Sequence, residues 1–225
     1  EVVCLAHDIG NPPLGHFGET AIKCFFTRLF DEMKEDLDKF REIKDLKTIS
    51  HPIILSELSR YADQENKHKA IASIEEFLTT SNLRLDYTEF DGNAEGFRVL
   101  TKLQFLNDLH GLNLTSASLA SFLKYPNTGE SKKSNNKDED LLSQHKHGVF
   151  ETEKTVMQKV MDACDITRID DNSYHRHPIS YIMEASDTIC YLLMDLEDAI
   201  SKGWLGYNDV RTLLMQSKKG KDIIH

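Results

Sequence analysis

Apolar residues recur at helical spacing along most of the chain. They stand three or four positions apart, the period at which side chains share one face of an α-helix. The longest series run from Phe17 to Met33 and from Ile179 to Ile200. Only the segment 83–87 alternates apolar and polar residues with a period of two, so a short strand is expected there. The pattern as a whole predicts an all-α fold.

The breaks between the helical series carry their own signals. A proline lacks a backbone N–H and is tolerated best where a helix begins or after it ends. Residues 127–147 are polar and mixed in charge, which is typical of a solvated loop or insertion. We therefore predict one domain over residues 1–225 with that loop inside it. All five prolines fall at predicted helix boundaries: Pro12, Pro13, Pro52, Pro126 and Pro178.

Composition and charge narrow the class of protein. The 225 residues are 40% hydrophobic and 28% charged, with a mean hydropathy of −0.45, values typical of a globular chain. No apolar run approaches the roughly 20 residues that a membrane-spanning helix needs. A formal net charge of −10 argues against a protein that attracts nucleic acid through its overall electrostatic field. A local basic groove is still compatible with this net charge. The chain opens at Glu1 without a signal-peptide pattern, so we expect a cytoplasmic protein whose sequence continues upstream.

The cysteines suggest no shared site. Cys4, Cys24, Cys164 and Cys190 form no C-x-x-C pair, so neither a zinc cluster nor a disulfide framework is predicted. Reduced thiols in a cytosol are the expected state.

The densest cluster of reactive residue types lies near the N-terminus. Residues 6–19 read A-H-D-I-G-N-P-P-L-G-H-F-G-E and hold two histidines, two carboxylates and three glycines. The adjacent His7 and Asp8 offer an imidazole and a carboxylate, ligands that suit Mn²⁺, Fe²⁺ or Mg²⁺. For an isolated His-Asp dipeptide the alternatives are a buried pair without a metal, or an Asp that caps a turn.

A second candidate group lies on the last long helical series. Asp187, Tyr191 and Asp195 stand at i, i+4 and i+8, so their side chains project from nearly the same face of the helix. Two acids and a phenol on one stripe of an otherwise apolar helix indicate a functional face. A solvated face is the alternative.

The extended string around His7 resembles the signature of the deoxyguanosine triphosphate triphosphohydrolases in the HD phosphohydrolase superfamily. The resemblance runs from Glu1 to about Ile200 and implies the multi-helical HD-domain fold of a metal-dependent phosphohydrolase. Further segments resemble the same family in the same order: 91–101 (D-G-N-A-E-G-F-R-V-L-T), 112–117 (L-N-L-T-S-A), 123–126 (L-K-Y-P), 147–150 (H-G-V-F) and 176–187 (R-H-P-I-S-Y-I-M-E-A-S-D).

The resemblance implies a metal site and a reaction. His7, Asp8 and Asp187 would hold one divalent ion, Mn²⁺, Mg²⁺ or Fe²⁺, and the family has a further histidine ligand that is expected upstream of this sequence. The ion would polarise the α-phosphate of dGTP, or of another dNTP, and lower the pKa of the attacking water. The products would be a deoxynucleoside and intact tripolyphosphate.

The resemblance also implies a general acid. Glu19, three residues after His16, would hold the imidazole in one tautomer, so that protonated His16 donates to the leaving 5′-oxygen. The alternative for this pair is a capping arrangement in which Glu19 accepts hydrogen bonds from backbone N–H groups.

Substrate binding is assigned by the same resemblance. Lys124 would neutralise part of the negative charge of the triphosphate, and Arg98 is the second candidate for this role. Tyr191 would pack where it excludes a 2′-hydroxyl, Asp195 would accept from the 3′-hydroxyl, and Asn93 would lie near the substrate. A solvated surface cation is the alternative for Arg98, and a turn-forming Asn is the alternative for Asn93.

The same resemblance implies partners, and it leaves competing functions open. The family forms closed homo-oligomers, often hexamers, and some members respond to dNTPs or single-stranded DNA. The competing functions are another HD-class nucleotide phosphohydrolase, or a nucleotide sensor that binds dNTP or single-stranded DNA on the same fold. A sensor need not keep a general acid, so the presence of both His16 and Glu19 favours the enzyme.

Overall fold

A computed structural model of the protein describes residues 2–43, 47, 49–61, 63–79, 81–104, 110–130 and 146–216. The chain divides into two compact units, Glu1–Ser180 and Tyr181–His225.

The first unit is built almost entirely from helices, so the all-α prediction is confirmed. Its first half contains α1 (Val2–Ala6), α2 (His16–Ile43), α3 (Pro52–Ser59), α4 (Gln64–Thr79), a 3₁₀ turn (Asn82–Arg84) and α5 (Leu85–Thr88). Its second half contains α6 (Gly92–Arg98), a π-helical turn (Val99–Leu103), α7 (Ser116–Phe122), a 3₁₀ turn (Glu151–Glu153), α8 (Lys154–Asp162) and the antiparallel strands β1 (Arg168–Asp170) and β2 (Ser173–Tyr174).

The described part of the second unit, which ends at residue 216, contains two helices. α9 (Pro178–Ser201) begins at the end of the first unit and continues into the second, where α10 (Tyr207–Gln216) follows. The turn between them contains Gly203 at φ +72°, a conformation that glycine adopts without strain. Among the helices of the described residues, none is both long and apolar enough to cross a membrane.

Among the described residues of the first unit, two apolar clusters form the core. Each fully buried side chain of this kind contributes roughly 1.5–3 kcal/mol relative to an exposed one. Cluster 1 joins α2, α3 and α4: Phe30, Met33, Leu37, Phe40, Ile49, Ile54, Leu58, Ile71 and Leu78. Cluster 2 joins α6, α7 and α8: Phe97, Leu100, Leu119, Ala120, Phe122, Leu123, Val149, Met157, Val160, Met161 and Tyr174.

The apolar series that predicts α2 is only partly the face that the helix buries. Its members stand four residues apart, and four residues turn an α-helix by about 400°, so each step drifts by about 40°. As a result Phe17 and Phe25 are 71% and 60% exposed, while Met33 is buried. The residues of the buried stripe are Phe30, Met33, Leu37 and Phe40, spaced by threes and fours.

The strand expected over 83–87 is wrong. The segment forms the 3₁₀ turn and α5, and the Ser81 side chain accepts from the Leu83 N–H to start the turn. A run of only five alternating residues is also compatible with about one turn of helix. One polar residue of this run, Asp86, is buried, where it accepts from the Glu151 N–H and pairs with Arg98. The strands β1 and β2 lie elsewhere and are too short for their pattern to stand out.

The predicted polar loop is described only at its two ends, because residues 131–145 lie outside the described residues. Asn127 pairs with Ser173 and Thr128 with Val149 as isolated β-bridges. Asn127, Thr128 and His147 are buried, so both ends of this segment are fixed beside cluster 2.

Candidate functional site

The end of α1 positions the His-Asp pair. Val3 and Ala6 pack against cluster 2, so the residues that follow leave the helix at a defined place. His7 Nδ1 lies 2.7 Å from the carbonyl oxygen of Cys4, to which it must donate because a carbonyl only accepts. His7 Nε2 lies 3.2 Å from Asp8 Oδ2.

Successive turns carry the chain from this pair to α2. The Asn11 N–H donates to the carbonyl of Asp8, and the Gly15 N–H to that of Pro12. Leu14 and Gly15 both have a positive φ, at 68° and 55°. For Leu14 that conformation costs roughly 1–2 kcal/mol. The turns place His16 at the first residue of α2.

Glycines allow the turn after α1 to lie directly on α6. A Cβ built on Gly10 would lie 2.0 Å from Gly96 N and 2.2 Å from Gly92 O. No side chain fits at such distances, so the two backbones are in direct contact. Gly96 also packs against the ring of Phe122, since a Cβ built on it would lie 2.7 Å from Phe122 Cζ. The segments 6–19 and 91–101, both of which carry the resemblance, are therefore neighbours in space.

Glu19 joins these two segments through its carboxylate. The side chain is buried; Oε1 accepts from the Gly92 N–H at 2.8 Å, and Oε2 lies 3.0 Å from His16 Nδ1. Because a carboxylate only accepts, Nδ1 carries a proton and Nε2 is the nitrogen that can exchange one with a bound molecule. The His16 side chain is 83% exposed. Glu19 thus contacts His16 and also accepts from the first turn of α6.

The His7–Asp8 pair presents two atoms that could bind a cation, an imidazole nitrogen and a carboxylate oxygen. With Nδ1 donating to a carbonyl, a neutral His7 carries its lone pair on Nε2, facing a carboxylate oxygen. These two groups repel each other unless a cation or a proton lies between them. Within the first unit, as far as it is described, no third His, Cys, Asp or Glu side chain joins the pair as a ligand.

The N-terminus of α6 holds Asn93. Asp91 caps the helix, since its Oδ1 accepts from the backbone N–H of Asn93 at 2.9 Å and from Asn93 Nδ2 at 2.8 Å. Asn93 is half-buried and follows Gly92, whose N–H binds Glu19. The contact with Asp91 is the one that the turn-forming alternative expects, and a place of Asn93 near a bound substrate stays a prediction.

Arg98 lies in a network of acidic side chains. Its guanidinium contacts Asp86 Oδ2 at 3.3 Å, Glu153 Oε2 at 3.1 Å and Glu95 Oε2 at 3.7 Å. It also stacks over the ring of Phe150 at 4.2 Å from the centroid. The phosphate contact expected of Arg98 therefore stays a prediction, with this intramolecular network as the structural alternative.

Burial shifts the ionisation of two acids in this network. It raises the pKa of Asp86 above its ordinary value, although hydrogen bonds from Thr152 and Glu151 and the charge of Arg98 act in the other direction. Burial also raises the pKa of Glu95, against the attraction of Arg98. The network ties α5, α6 and the turn before α8 together.

Lys124 follows the end of α7. It is partly buried, and its ammonium lies 5.9 Å from the ring centroid of Tyr125. The backbone beside it is fixed, because a Cβ on Gly148 would lie 2.3 Å from Tyr125 O. Two residues before Lys124, Phe122 contacts Gly96 of α6, so the end of α7 is packed against the helix that binds Glu19.

The second unit carries the three remaining predicted site residues. α9 is continuous from Pro178 to Ser201, so Asp187, Tyr191 and Asp195 do share one helix face. Asp187 is partly exposed, Asp195 is exposed and Tyr191 is 64% exposed.

Sequence reasoning assigned no role to Asn11, Asp91 or the glycines at positions 10, 92 and 96. Gly92 and Gly96 stand four residues apart and so share a helix face, which is a signal of close backbone approach. Which other segment approaches that face is a long-range contact that spacing does not show.

Comparisons with known proteins found no matching family model. Curated relatives do match. A "Deoxyguanosinetriphosphate triphosphohydrolase-like protein" of Pseudomonas aeruginosa strain LESB58 is 34% identical over 212 residues, which is 94% of this chain and 38% of the relative. A protein of the same name from Synechocystis is 32% identical over 213 residues, 94% of this chain and 40% of the relative.

A "Deoxyguanosinetriphosphate triphosphohydrolase" of Cronobacter sakazakii is 32% identical over 203 residues, which is 90% of this chain and 34% of the relative. The chain thus spans well under half the length of these relatives, while they match nearly all of it. These matches confirm the resemblance that the motifs indicated: over nearly its whole length the chain is similar to members of the deoxyguanosinetriphosphate triphosphohydrolase family.

Proposed function

We propose that the chain carries the catalytic centre of a metal-dependent triphosphohydrolase that cleaves dGTP, or another dNTP, to deoxynucleoside and tripolyphosphate. The observation that carries this proposal is the Glu19 contact. One buried carboxylate holds His16 and the N-terminus of α6, beside the His7–Asp8 pair. The names of the relatives supply the substrate class.

His7, Asp8 and Asp187 are the proposed ligands of one divalent ion, Mn²⁺, Mg²⁺ or Fe²⁺. The fit rests on the donor set, since His7 Nε2 and Asp8 Oδ2 face each other at 3.2 Å. When bound, such an ion supplies polarisation of the α-phosphate and a lowered pKa for the attacking water.

His16 is the proposed general acid. Water oxygen forms a bond to the α-phosphorus and loses a proton to the solvent, the bond from that phosphorus to the 5′-oxygen breaks, and the 5′-oxygen takes a proton from His16 Nε2, which solvent then replaces. Glu19 keeps the imidazole in the required orientation, because Oε2 binds Nδ1 while Oε1 is fixed to α6. Proton donation of this kind is worth about 10²–10⁴-fold in rate.

The remaining proposed residues bind the substrate. Lys124 and Arg98 supply positive charge for the triphosphate, and the partial burial of Lys124 at the end of α7 suits that use. Asn93 lies next to the Gly92 N–H that binds Glu19. Tyr191 and Asp195, on one face of α9, are the proposed contacts to the deoxyribose. We further propose a cytoplasmic homo-oligomer, with a hexamer as the candidate assembly, that responds to dNTPs or single-stranded DNA.

Product analysis tests the proposal. The protein is incubated with dGTP and Mn²⁺, and the products are separated by anion-exchange chromatography. Deoxyguanosine and tripolyphosphate in equal amounts are expected. Formation of dGMP and pyrophosphate would identify a different hydrolase, and tight dGTP binding without turnover would identify a sensor.

A further inference from the structure

We infer that Asn11 is a positioning residue that selects which oxygen of Asp8 faces a bound divalent cation. The inference rests on the proposed function, in which His7 and Asp8 are metal ligands. Asn11 is assigned no contact of its own with the ion or the reacting atoms, and its role is exerted through the carboxylate of Asp8.

The contact between Asn11 and Asp8 is direct. Asn11 Nδ2 donates to Asp8 Oδ1 at 2.8 Å. A carboxylate only accepts hydrogen bonds, so the amide must present its nitrogen to Asp8 and its oxygen to the other side. With Oδ1 occupied in this way, Oδ2 is the oxygen that faces His7 Nε2, at 3.2 Å.

The backbone of Asn11 is fixed, although the side chain is exposed to solvent. Its N–H donates to the carbonyl of Asp8 at 3.0 Å, which closes the turn. The preceding Gly10 lies against the backbone of α6, and a Cβ on Gly92 would lie 2.4 Å from Asn11 Oδ1. The amide is thus placed between α6 and Asp8, with its nitrogen on the Asp8 side.

Without Asn11 the carboxylate of Asp8 would lose its orientation. The Asp8 side chain is 67% exposed, and the structure gives it contacts only with His7 and Asn11 among the hydrogen bonds and ion pairs described. Groups that orient metal ligands in this way typically change metal affinity or activity by about 10–100-fold when removed. The same range is expected here.

Mn²⁺ binding tests this inference without any need for turnover. Free Mn²⁺ is followed by its electron paramagnetic resonance signal as the ion is titrated into the protein and into Asn11→Ala. The dissociation constant of the variant is expected to rise by about 10-fold or more. Asn11→Leu, which keeps the size of the side chain and removes its donor, is expected to match Asn11→Ala, which separates the hydrogen bond from packing.

The chain offers a matched control on α4. Asn66 Nδ2 donates to Asp63 Oδ2 at 2.9 Å, again across three residues on the surface. Asn66→Ala removes an equivalent hydrogen bond far along the sequence and should leave the Mn²⁺ dissociation constant within twofold. Thermal unfolding of all variants shows that each is folded at the temperature of the titration.

A double-mutant cycle shows whether Asn11 acts through Asp8. In an Asp8→Asn background, Asn11→Ala should change the weakened affinity less than twofold, because there is no carboxylate left to orient. Equal Mn²⁺ affinity for the wild-type protein and Asn11→Ala would overturn the positioning role alone. If the wild-type protein bound no Mn²⁺, the proposed metal site and this inference would both be overturned.

Discussion

Glu19 has two carboxylate oxygens and uses them for different purposes. Oε1 accepts from the backbone of α6 at Gly92, and Oε2 binds the imidazole of His16. The first contact spans 73 residues of sequence and the second spans three. One oxygen therefore serves the fold and the other serves the proposed chemistry, so substitutions can separate the two.

Glu19→Gln and Glu19→Ala should differ in stability more than in activity. Glutamine keeps an oxygen for the Gly92 N–H but sets an NH₂ group against His16 Nδ1–H, so kcat for dGTP should fall by about 100-fold. Alanine also leaves the buried Gly92 N–H without an acceptor, which should lower the free energy of unfolding by a further amount of about 1–3 kcal/mol. Steady-state kinetics and urea unfolding measure the two effects. Equal unfolding free energies for the two variants would contradict this division.

His16→Ala should slow the chemical step while leaving metal binding intact, because it removes a proton donor and no ligand. A loss of about 10²–10⁴ in kcat is expected, with the Mn²⁺ dissociation constant unchanged. His68→Ala, at an exposed position of α4, is the matched control and should keep full activity. Full turnover by His16→Ala would exclude His16 as the general acid.

At the scale of whole elements, hydrogen bonds from a side chain of one helix to the backbone before the next helix fix the position of the two helices. Asp36 of α2 accepts from the N–H groups of Ser50 and His51, directly before α3 begins at Pro52. Burial alone would raise the pKa of Asp36, but these hydrogen bonds, that of the Ser50 hydroxyl and the charge of Lys39 together lower it below its ordinary value. A buried carboxylate thus joins α2 to α3.

The stability that Asp36 contributes should depend on pH. Because its folded-state pKa is lowered, the contribution is complete above the unfolded-state pKa of about 4 and is lost as the pH falls through the lower, folded-state value. Asp36→Asn should cost about 1–3 kcal/mol at pH 7. Urea unfolding from pH 7 to pH 2 should show the difference from wild type shrinking below about pH 4. A constant difference over this range would contradict the assignment.

Gly10→Ala should destabilise the contact between the turn after α1 and α6. The new Cβ would lie 2.0 Å from Gly96 N, and backbone atoms cannot move aside as a flexible side chain can. We expect a loss of about 1–3 kcal/mol or more. Gly15→Ala is the control in the same segment: its Cβ meets nothing within 4 Å, and the cost is only that of a positive φ, about 1–2 kcal/mol. A smaller loss for Gly10→Ala than for Gly15→Ala would show that the two backbones can separate.

At the scale of the whole molecule, spacing along the sequence predicted the helices and those pairs of side chains that lie close together in the sequence. The helical series, the helix starts at Pro52 and Pro178, and the pairs His7–Asp8 and His16–Glu19 all depend on residues close in sequence. Long-range contacts have no such signature. The contact of Glu19 with Gly92 and the network around Arg98 became visible only in three dimensions.

The second unit supplies a prediction of its own. If Asp187 is a metal ligand, Asp187→Ala should abolish Mn²⁺ binding. Asp195→Ala, two turns further along the same face of α9, should retain Mn²⁺ and raise KM for dGTP, because Asp195 is assigned to the sugar. Mn²⁺ titration and steady-state kinetics distinguish the two. Stoichiometric Mn²⁺ in Asp187→Ala would remove it from the ligand set.

The backbone contact between Gly10 and α6 has a consequence for protein synthesis. The turn that carries His7 and Asp8 leaves the ribosome before α6 does, because the surface on which it rests, Gly92 and Gly96, lies about 80 residues later in the sequence. At roughly 5–20 residues per second, that surface follows after about 4–16 seconds. His7 and Asp8 must therefore wait for a later helix before they take their final place, and during that interval the nascent chain holds no assembled site.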